Sequence, residues 1–247
     1  MAIRVMLFDL WGTLIADDGH HEGKRREQLR AQMTCDALAS LGMAYDIAGI
    51  AAAFEVAATE HEKIHAAGLD LTAEGRTVLY LRHLDPEIGE RLDEAGWKSM
   101  HEAVLTPALH VRPAMIAEAP DALAAIKGLG LPIGLISNAG TTPSFVLREI
   151  LDGFGLLSHF DSTVFSDEVE LAKPAAAIFE RALDEFGVAP EEAAFVGDQP
   201  ILDVLGPRAA GLWSIQVGAL EEDGIEPHAR ISELSELVQA LRELGLA

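Results

Sequence analysis

The sequence has one cysteine, Cys35, in 247 residues. A lone thiol cannot close an intramolecular disulfide, and no second cysteine exists to share a zinc ion with it, so disulfide frameworks and cysteine clusters are excluded. Cys35 lies in Gln32-Met33-Thr34-Cys35-Asp36-Ala37-Leu38, which reads as helix, and is expected to be a buried small apolar residue without chemistry. Positive charge is also scarce. Eighteen Lys and Arg against 40 Asp and Glu give a formal charge of -22, which repels nucleic acid and anionic membrane surfaces. A small anionic substrate stays compatible, because a few basic side chains and backbone N–H groups can make one pocket locally positive. No stretch approaches the roughly 18 to 20 continuous apolar residues of a membrane span, and the N-terminus reads as a strand rather than as a signal peptide. These features predict a soluble cytoplasmic protein, a monomer or a two-fold dimer. Internal repeats and low-complexity tracts are absent.

What is present is apolar material: 49% of the residues are hydrophobic, enough for a core domain carrying an inserted second one. The run Ile3 to Phe8 predicts a buried parallel strand ending at Asp9. From Lys24 to Thr106 the pattern turns helical, with segments Lys24 to Leu41, Ile47 to Ala67 and Glu87 to Leu105. After Pro113 helix and strand alternate. Ile116 to Leu129 predicts a helix, Pro132 to Ile136 a strand, Ser144 to Leu151 a helix and Ser162 to Phe165 a strand. Ala175 to Phe186 predicts a helix, Ala193 to Val196 a strand, Ile201 to Ala210 a helix and Leu212 to Val217 a strand. Glu221 to Arg230 reads as a loop and Ser232 to Leu244 as a closing helix. Strands separated by single helices predict right-handed βαβ units and an α/β fold, a doubly wound parallel sheet whose ligands bind at the carboxyl ends of the strands.

Four polar segments follow apolar strands: Asp9-Leu10-Trp11-Gly12-Thr13, Ser137-Asn138-Ala139-Gly140, Ala172-Lys173-Pro174 and Gly197-Asp198-Gln199-Pro200-Ile201-Leu202-Asp203. In a parallel sheet all four meet at one edge, which makes them one candidate site. Asp9 is a candidate nucleophile, since a carboxylate there can attack phosphorus or carbon and be released by water. Its plain alternative is a turn or helix cap. Gly12 permits a tight backbone, and the Thr13 hydroxyl can bond a carboxylate or a substrate oxygen. Ser137 and Asn138 offer a hydroxyl and an amide for a substrate anion, or else cap the next helix. Lys173, one of five lysines, can neutralise charge on the attacked group and keep Asp9 ionised. Asp198 and Asp203 supply hard oxygen ligands of the kind Mg²⁺ takes, with bracing of the loop an equal alternative for Asp203. Gly206, Pro207 and Arg208 look structural.

In order, spacing and content these four segments resemble the motifs of the haloacid-dehalogenase superfamily, and the resemblance spans the chain from Asp9 to Asp203. It implies a Rossmann-like core over 1–16 and 110–247 and a helical cap over 17–109, as in the helical-cap subclass. It further implies that Asp9 is the nucleophile, that the carboxylate of Asp198 and the backbone carbonyl of Trp11 join Asp9 on Mg²⁺, and that Ser137, Asn138 and Trp11 bind the substrate. One position departs from the family's phosphatases, which carry a second Asp two residues after the nucleophile as general acid and base. Here Trp11 stands there, with no proton to give at neutral pH. A phosphatase with this residue needs a good leaving group, or a proton from Asp17, His20 or His21 where the chain leaves for the cap. The superfamily's 2-haloacid dehalogenases also carry an aromatic residue there, and they bind the substrate carboxylate through a cap-side arginine, for which Arg25, Arg26 and Arg30 are candidates. Those enzymes need no metal and usually lack the Gly-Asp pair of the fourth segment. The expected function is therefore Mg²⁺-dependent hydrolysis of a small phosphorylated metabolite, with a metal-independent 2-haloacid dehalogenase second and a non-catalytic binding protein third.

Overall fold

The computed structural model describes residues 2–17 and 21–247, with the side chain of His21 left out. Strand β1 (Val5–Phe8) is apolar throughout and buried throughout. Its side chains alternate between two hydrophobic clusters. Met6 and Phe8 face one that includes Leu123, Ile126 and Leu241, and Val5 and Leu7 face another built on Ile178, Phe179 and Leu183. A strand covered on both faces has no polar side to show, which is why its sequence runs apolar without alternation.

The chain next forms β2 (Ile15–Ala16) and four main helices: α1 (His21–Ser40), α2 (Ile47–Ala66), α3 (Ala73–Leu84) and α4 (Glu94–Leu105). It returns through α5 (Pro107–His110) and β3 (Ala114–Met115). β2 and β3 pair antiparallel, Ile15 with Met115 and Ala16 with Ala114. The helices between them bury a cluster of their own, including Leu38, Phe54, Leu79, Tyr80, Met100 and Val104. Cys35 is only half-buried beside that cluster, and its thiol reaches the Tyr45 carbonyl at 3.4 Å.

The remaining elements are α6 (Ala119–Gly128), β4 (Ile133–Ser137), α7 (Ser144–Gly153), β5 (Ser162–Phe165), α8 (Ser166–Val169), α9 (Ala176–Phe186), β6 (Ala193–Gly197), α10 (Gly206–Ala209), β7 (Trp213–Val217), β8 (Ala229–Ile231) and α11 (Leu237–Glu243). The main sheet has six parallel strands in the order β5-β4-β1-β6-β7-β8. The chain winds outward from β1 through β4 and β5, then returns to β6 on the other side. The reversal at β1 opens a crevice at the strands' carboxyl ends, where Asp9, Ser137 and Asp198 lie.

Four expectations need correction. Glu87 to Leu105 is not one helix, because the chain turns at Leu92 and restarts at Asp93, whose carboxylate caps the Gly96 N–H at 2.8 Å. The segment expected as a loop up to Arg230 contains part of β8, paired with β7. Ile201 to Ala210 is not one regular helix but a wide helical turn, Pro200–Leu205, running into α10. The closing helix begins later, at Leu237, after a short turn of helix at Leu234–Glu236.

Candidate active site at the carboxyl edge of the sheet

Asp9 is the first residue beyond β1, and its N–H is tied to the Val196 carbonyl of β6 at 2.9 Å. That bond fixes the backbone so that the carboxylate stands in the crevice. Lys173, in the loop before α9, donates through Nζ to Asp9 Oδ1 at 2.5 Å and to Asp203 Oδ1 at 2.7 Å. At 2% side-chain exposure it is a buried lysine, not a solvated surface one. Its ammonium also lies 5.1 Å from the centre of the Phe195 ring. The Thr13 hydroxyl donates to Asp9 Oδ2 at 3.3 Å, as the sequence suggested.

Gly12 has φ +80, and a Cβ there would overlap the Asp198 carboxylate. Glycine is therefore required twice, for the backbone and for the close approach of Asp198. Gly197 makes the same allowance for Asp203, whose side chain occupies the space of the missing Cβ.

One cation faces two buried carboxylates, and the imbalance is visible in the titration of Asp9 and Asp198. Burial first, and the neighbouring charge of Asp203 second, push Asp9 up to about 7 against the opposing pull of Lys173. Burial and Asp203 also raise Asp198, to about 6. For Lys173 burial alone would lower the pKa, but the carboxylates of Asp203 and Asp9 outweigh it and the ammonium stays protonated.

Asp9, Asp198 and Asp203 each bring a carboxylate oxygen within 4.8 Å of the others. Asp198 Oδ2 accepts from Gln199 Nε2 at 2.7 Å, whereas its Oδ1 is buried without a hydrogen-bond partner. An orphaned carboxylate oxygen beside a site short of positive charge fits a divalent cation, and an all-oxygen donor set suits Mg²⁺. Asp203 is differently placed. Both of its oxygens are engaged, one by Lys173 and the other by the Gln199 N–H at 2.9 Å, so it braces the loop and holds the lysine.

The remaining candidates take tasks that sequence reasoning missed. Asn138 receives the Lys173 N–H at 2.8 Å and donates to the Lys173 carbonyl at 3.0 Å, so its amide positions the lysine backbone rather than standing free for an anion. Ser137 is buried, with its hydroxyl directed to the Asn138 carbonyl at 3.3 Å. Neither residue caps α7, whose first N–H, that of Ser144, is taken by Asp167 at 2.9 Å. Trp11 is half-buried with the Arg26 guanidinium 5.4 Å from its ring centre. Arg26 in turn pairs with Asp17 at 2.5 Å, which occupies both side chains. Arg30 donates to the Val104 carbonyl at 2.8 Å and to the Thr141 carbonyl at 3.1 Å, tying α1 to the loop after β4. Arg25 is exposed. His20 and the side chain of His21 lie outside the described residues.

The family model for haloacid dehalogenase-like hydrolases matches residues 3–211. The chain belongs to that family. This hydrolase is 38% identical over 158 residues to a phosphoserine phosphatase of Thermus thermophilus, covering 63% of this chain and 58% of that enzyme. It is 34% identical over 172 residues to the pyrimidine 5'-nucleotidase YjjG of Escherichia coli, covering 68% of this chain and 70% of that one. The matched stretches span about half the length of several other curated relatives. Among solved structures, a 2-haloacid dehalogenase from Pseudomonas syringae pv. Tomato superposes with a TM-score of 0.71 at 20% identity, over 98% of this chain and 99% of that one. At that identity the likeness is one of fold. No described helix is long and apolar enough to cross a membrane.

Proposed function

We propose that this family member hydrolyses a small phosphorylated metabolite with Asp9 as nucleophile and Mg²⁺ held by Asp9, Asp198 and the backbone carbonyl of Trp11. The observation that carries the reading is the orphaned, buried Oδ1 of Asp198 beside Asp9, in a site with one cation for two buried carboxylates. A metal-free dehalogenase needs neither. The phosphatases and nucleotidase among the relatives favour the same chemistry.

Asp9 attacks phosphorus, the bond from phosphorus to the substrate's ester oxygen breaks, and an aspartyl phosphate forms. Water then attacks that phosphorus, releasing phosphate and restoring the carboxylate. Lys173 offsets charge on the transferring group and Thr13 steadies Asp9. A bound divalent cation supplies further neutralisation of the phosphoryl oxygens. The departing alkoxide finds no acid at Trp11, so activated leaving groups are the preferred substrates.

Residues 17–109 act as the cap over a core of 1–16 and 110–247 in this reading. The cavity that borders the site is one of about 300 Å³ lined by Gly12, Thr13 and Asp198, while a larger one of about 460 Å³, lined by Glu27, Arg30, Phe54, Tyr80 and Thr141 where the helices meet the loop after β4, shares no lining residue with the Asp9 cluster.

The test is phosphate release from an activated aryl phosphate, with Mg²⁺ or with EDTA. Turnover is expected only with Mg²⁺, and Asp9→Asn is expected to lower it by about a thousandfold or more. Full activity in that variant removes the nucleophile assignment. Trp11→Asp is expected to raise turnover of unactivated alkyl phosphates by about a hundredfold or more, the lower end of general-acid effects. Trp11 also favours a second reading, 2-haloacid dehalogenation, since halide leaves without a proton. Halide release from 2-haloacids in EDTA, with no phosphate release under either condition, would select it.

A further inference from the structure

Outside the Asp9 site, the last two turns of α2 carry His61 and His65, one turn apart and on one face of the helix. Their ring centres are 4.4 Å apart. Asp70, in the connection to α3, places Oδ1 2.6 Å from His61 Nε2 and 2.9 Å from His65 Nε2. One donor atom from each residue lies within 4.8 Å of the other two. We propose that His61, His65 and Asp70 form a binding site for a divalent first-row transition metal, separate from the oxygen cluster around Asp9.

Two imidazoles and a carboxylate are a donor set that zinc and its neighbours accept. Ligand atoms about 2.0–2.1 Å from a metal lie about 2.9 Å apart along an octahedral edge, which is the His65 nitrogen–oxygen separation, whereas the 2.6 Å contact of His61 is a hydrogen bond that opens by about 0.3 Å when a metal binds. Hydrogen bonding accounts for His61 but not for His65. The His65 Nε2 atom is buried and makes no hydrogen bond despite its 2.9 Å approach to Oδ1, so its nitrogen is not aimed along the line to that oxygen. The other oxygen of Asp70 is braced by the Ser166 hydroxyl, which donates to it at 2.5 Å and itself accepts from the Ala139 N–H at 2.7 Å. That is the outer support a metal-binding carboxylate uses. Arg76 stands 3.5 Å from both oxygens of Asp70; its charge opposes a cation and moderates the affinity. Water completes the coordination from the side of His65, whose side chain is 19% exposed. A metal there would join the end of α2 to the Asp70 turn and, through Ser166, to the sheet.

The test uses metal-stripped full-length protein titrated with Zn²⁺ by calorimetry, in an Asp9→Asn/Asp198→Asn background that removes the oxygen site. Because that background cannot turn over substrate, the result stands apart from the phosphatase reading. One zinc per chain is expected in it. His65→Gln, at the most exposed of the three positions, is expected to weaken binding by more than about a hundredfold, and Ser166→Ala, as an outer-shell change, by about tenfold. Cu²⁺ bound in the same background should give nitrogen hyperfine splitting from two imidazoles by electron paramagnetic resonance. Circular dichroism identifies variants that remain folded, and folded His65→Gln carries the comparison. Absence of zinc binding, unchanged affinity in His65→Gln, or a copper spectrum without nitrogen splitting overturns the proposal.

Discussion

Lys173 carries a single positive charge between Asp9 and Asp203, and the shortfall governs how the site responds to pH. Asp9 is raised from 3.8 to about 7, so between those values the folded state binds a proton that the unfolded state has released. Stability from this group is greatest below pH 3.8, falls as pH rises toward 7, and stays low above it. Asp9→Asn removes the cost of burying that charge. Its melting temperature in EDTA is therefore expected to exceed that of the wild type at pH 8, with the advantage shrinking toward pH 4, where the wild-type carboxyl is protonated when folded. Equal melting at pH 8 would contradict this account, which treats the site as one where stability is given up for chemistry. That Asp9, Thr13 and Lys173 meet in one crevice was legible in the sequence because their segments follow strands of a parallel sheet, Lys173 at one further remove, beyond α8 and a loop. The task of Asn138 was not, since an amide bonds whatever the tertiary fold presents, and here that is the Lys173 backbone.

At the scale of elements, local signals worked where periodicity was clean and failed where few residues carried the pattern. β1, β4, β6 and β7 are apolar enough to declare themselves. β8 has only three residues, of which Ile231 alone is buried, so nothing separates it from a loop until β7 offers its edge. α3 went unrecognised because buried Arg76 and Thr77 interrupt its apolar face. The break before α4 was written in Asp93, a capping residue overlooked inside a long helical pattern. Its contribution can be measured: Asp93→Ala is expected to cost about 1 kcal/mol in urea denaturation, with an unchanged dependence on denaturant. A loss below about 0.3 kcal/mol would mean that packing of α4, not its cap, sets where the helix starts.

For the whole molecule the governing quantity is the charge of -22. Like charges crowded on a compact surface repel more than they do in an extended chain, and salt shortens their reach to about 10 Å at 0.1 M. The melting temperature is therefore expected to rise between roughly 0.01 and 0.2 M KCl. A fall across that range would show that favourable ion pairs such as Arg148 with Glu168 outweigh the general repulsion. Overall architecture was the most legible level of all, because alternating helices and strands admit few topologies.

The antiparallel pair of β2 and β3 carries a consequence for how such a molecule changes over generations. Because Ile15 faces Met115 and Ala16 faces Ala114, the helical stretch departs and comes back through a gap of about 5 Å. Any insert whose ends lie that close can be mounted on the same socket without redrawing the sheet. Selection can thus swap the fitting while the machine beneath keeps its parts, and a chain joined directly from Ala16 to Ala114 by a tight turn would expose the bare workbench.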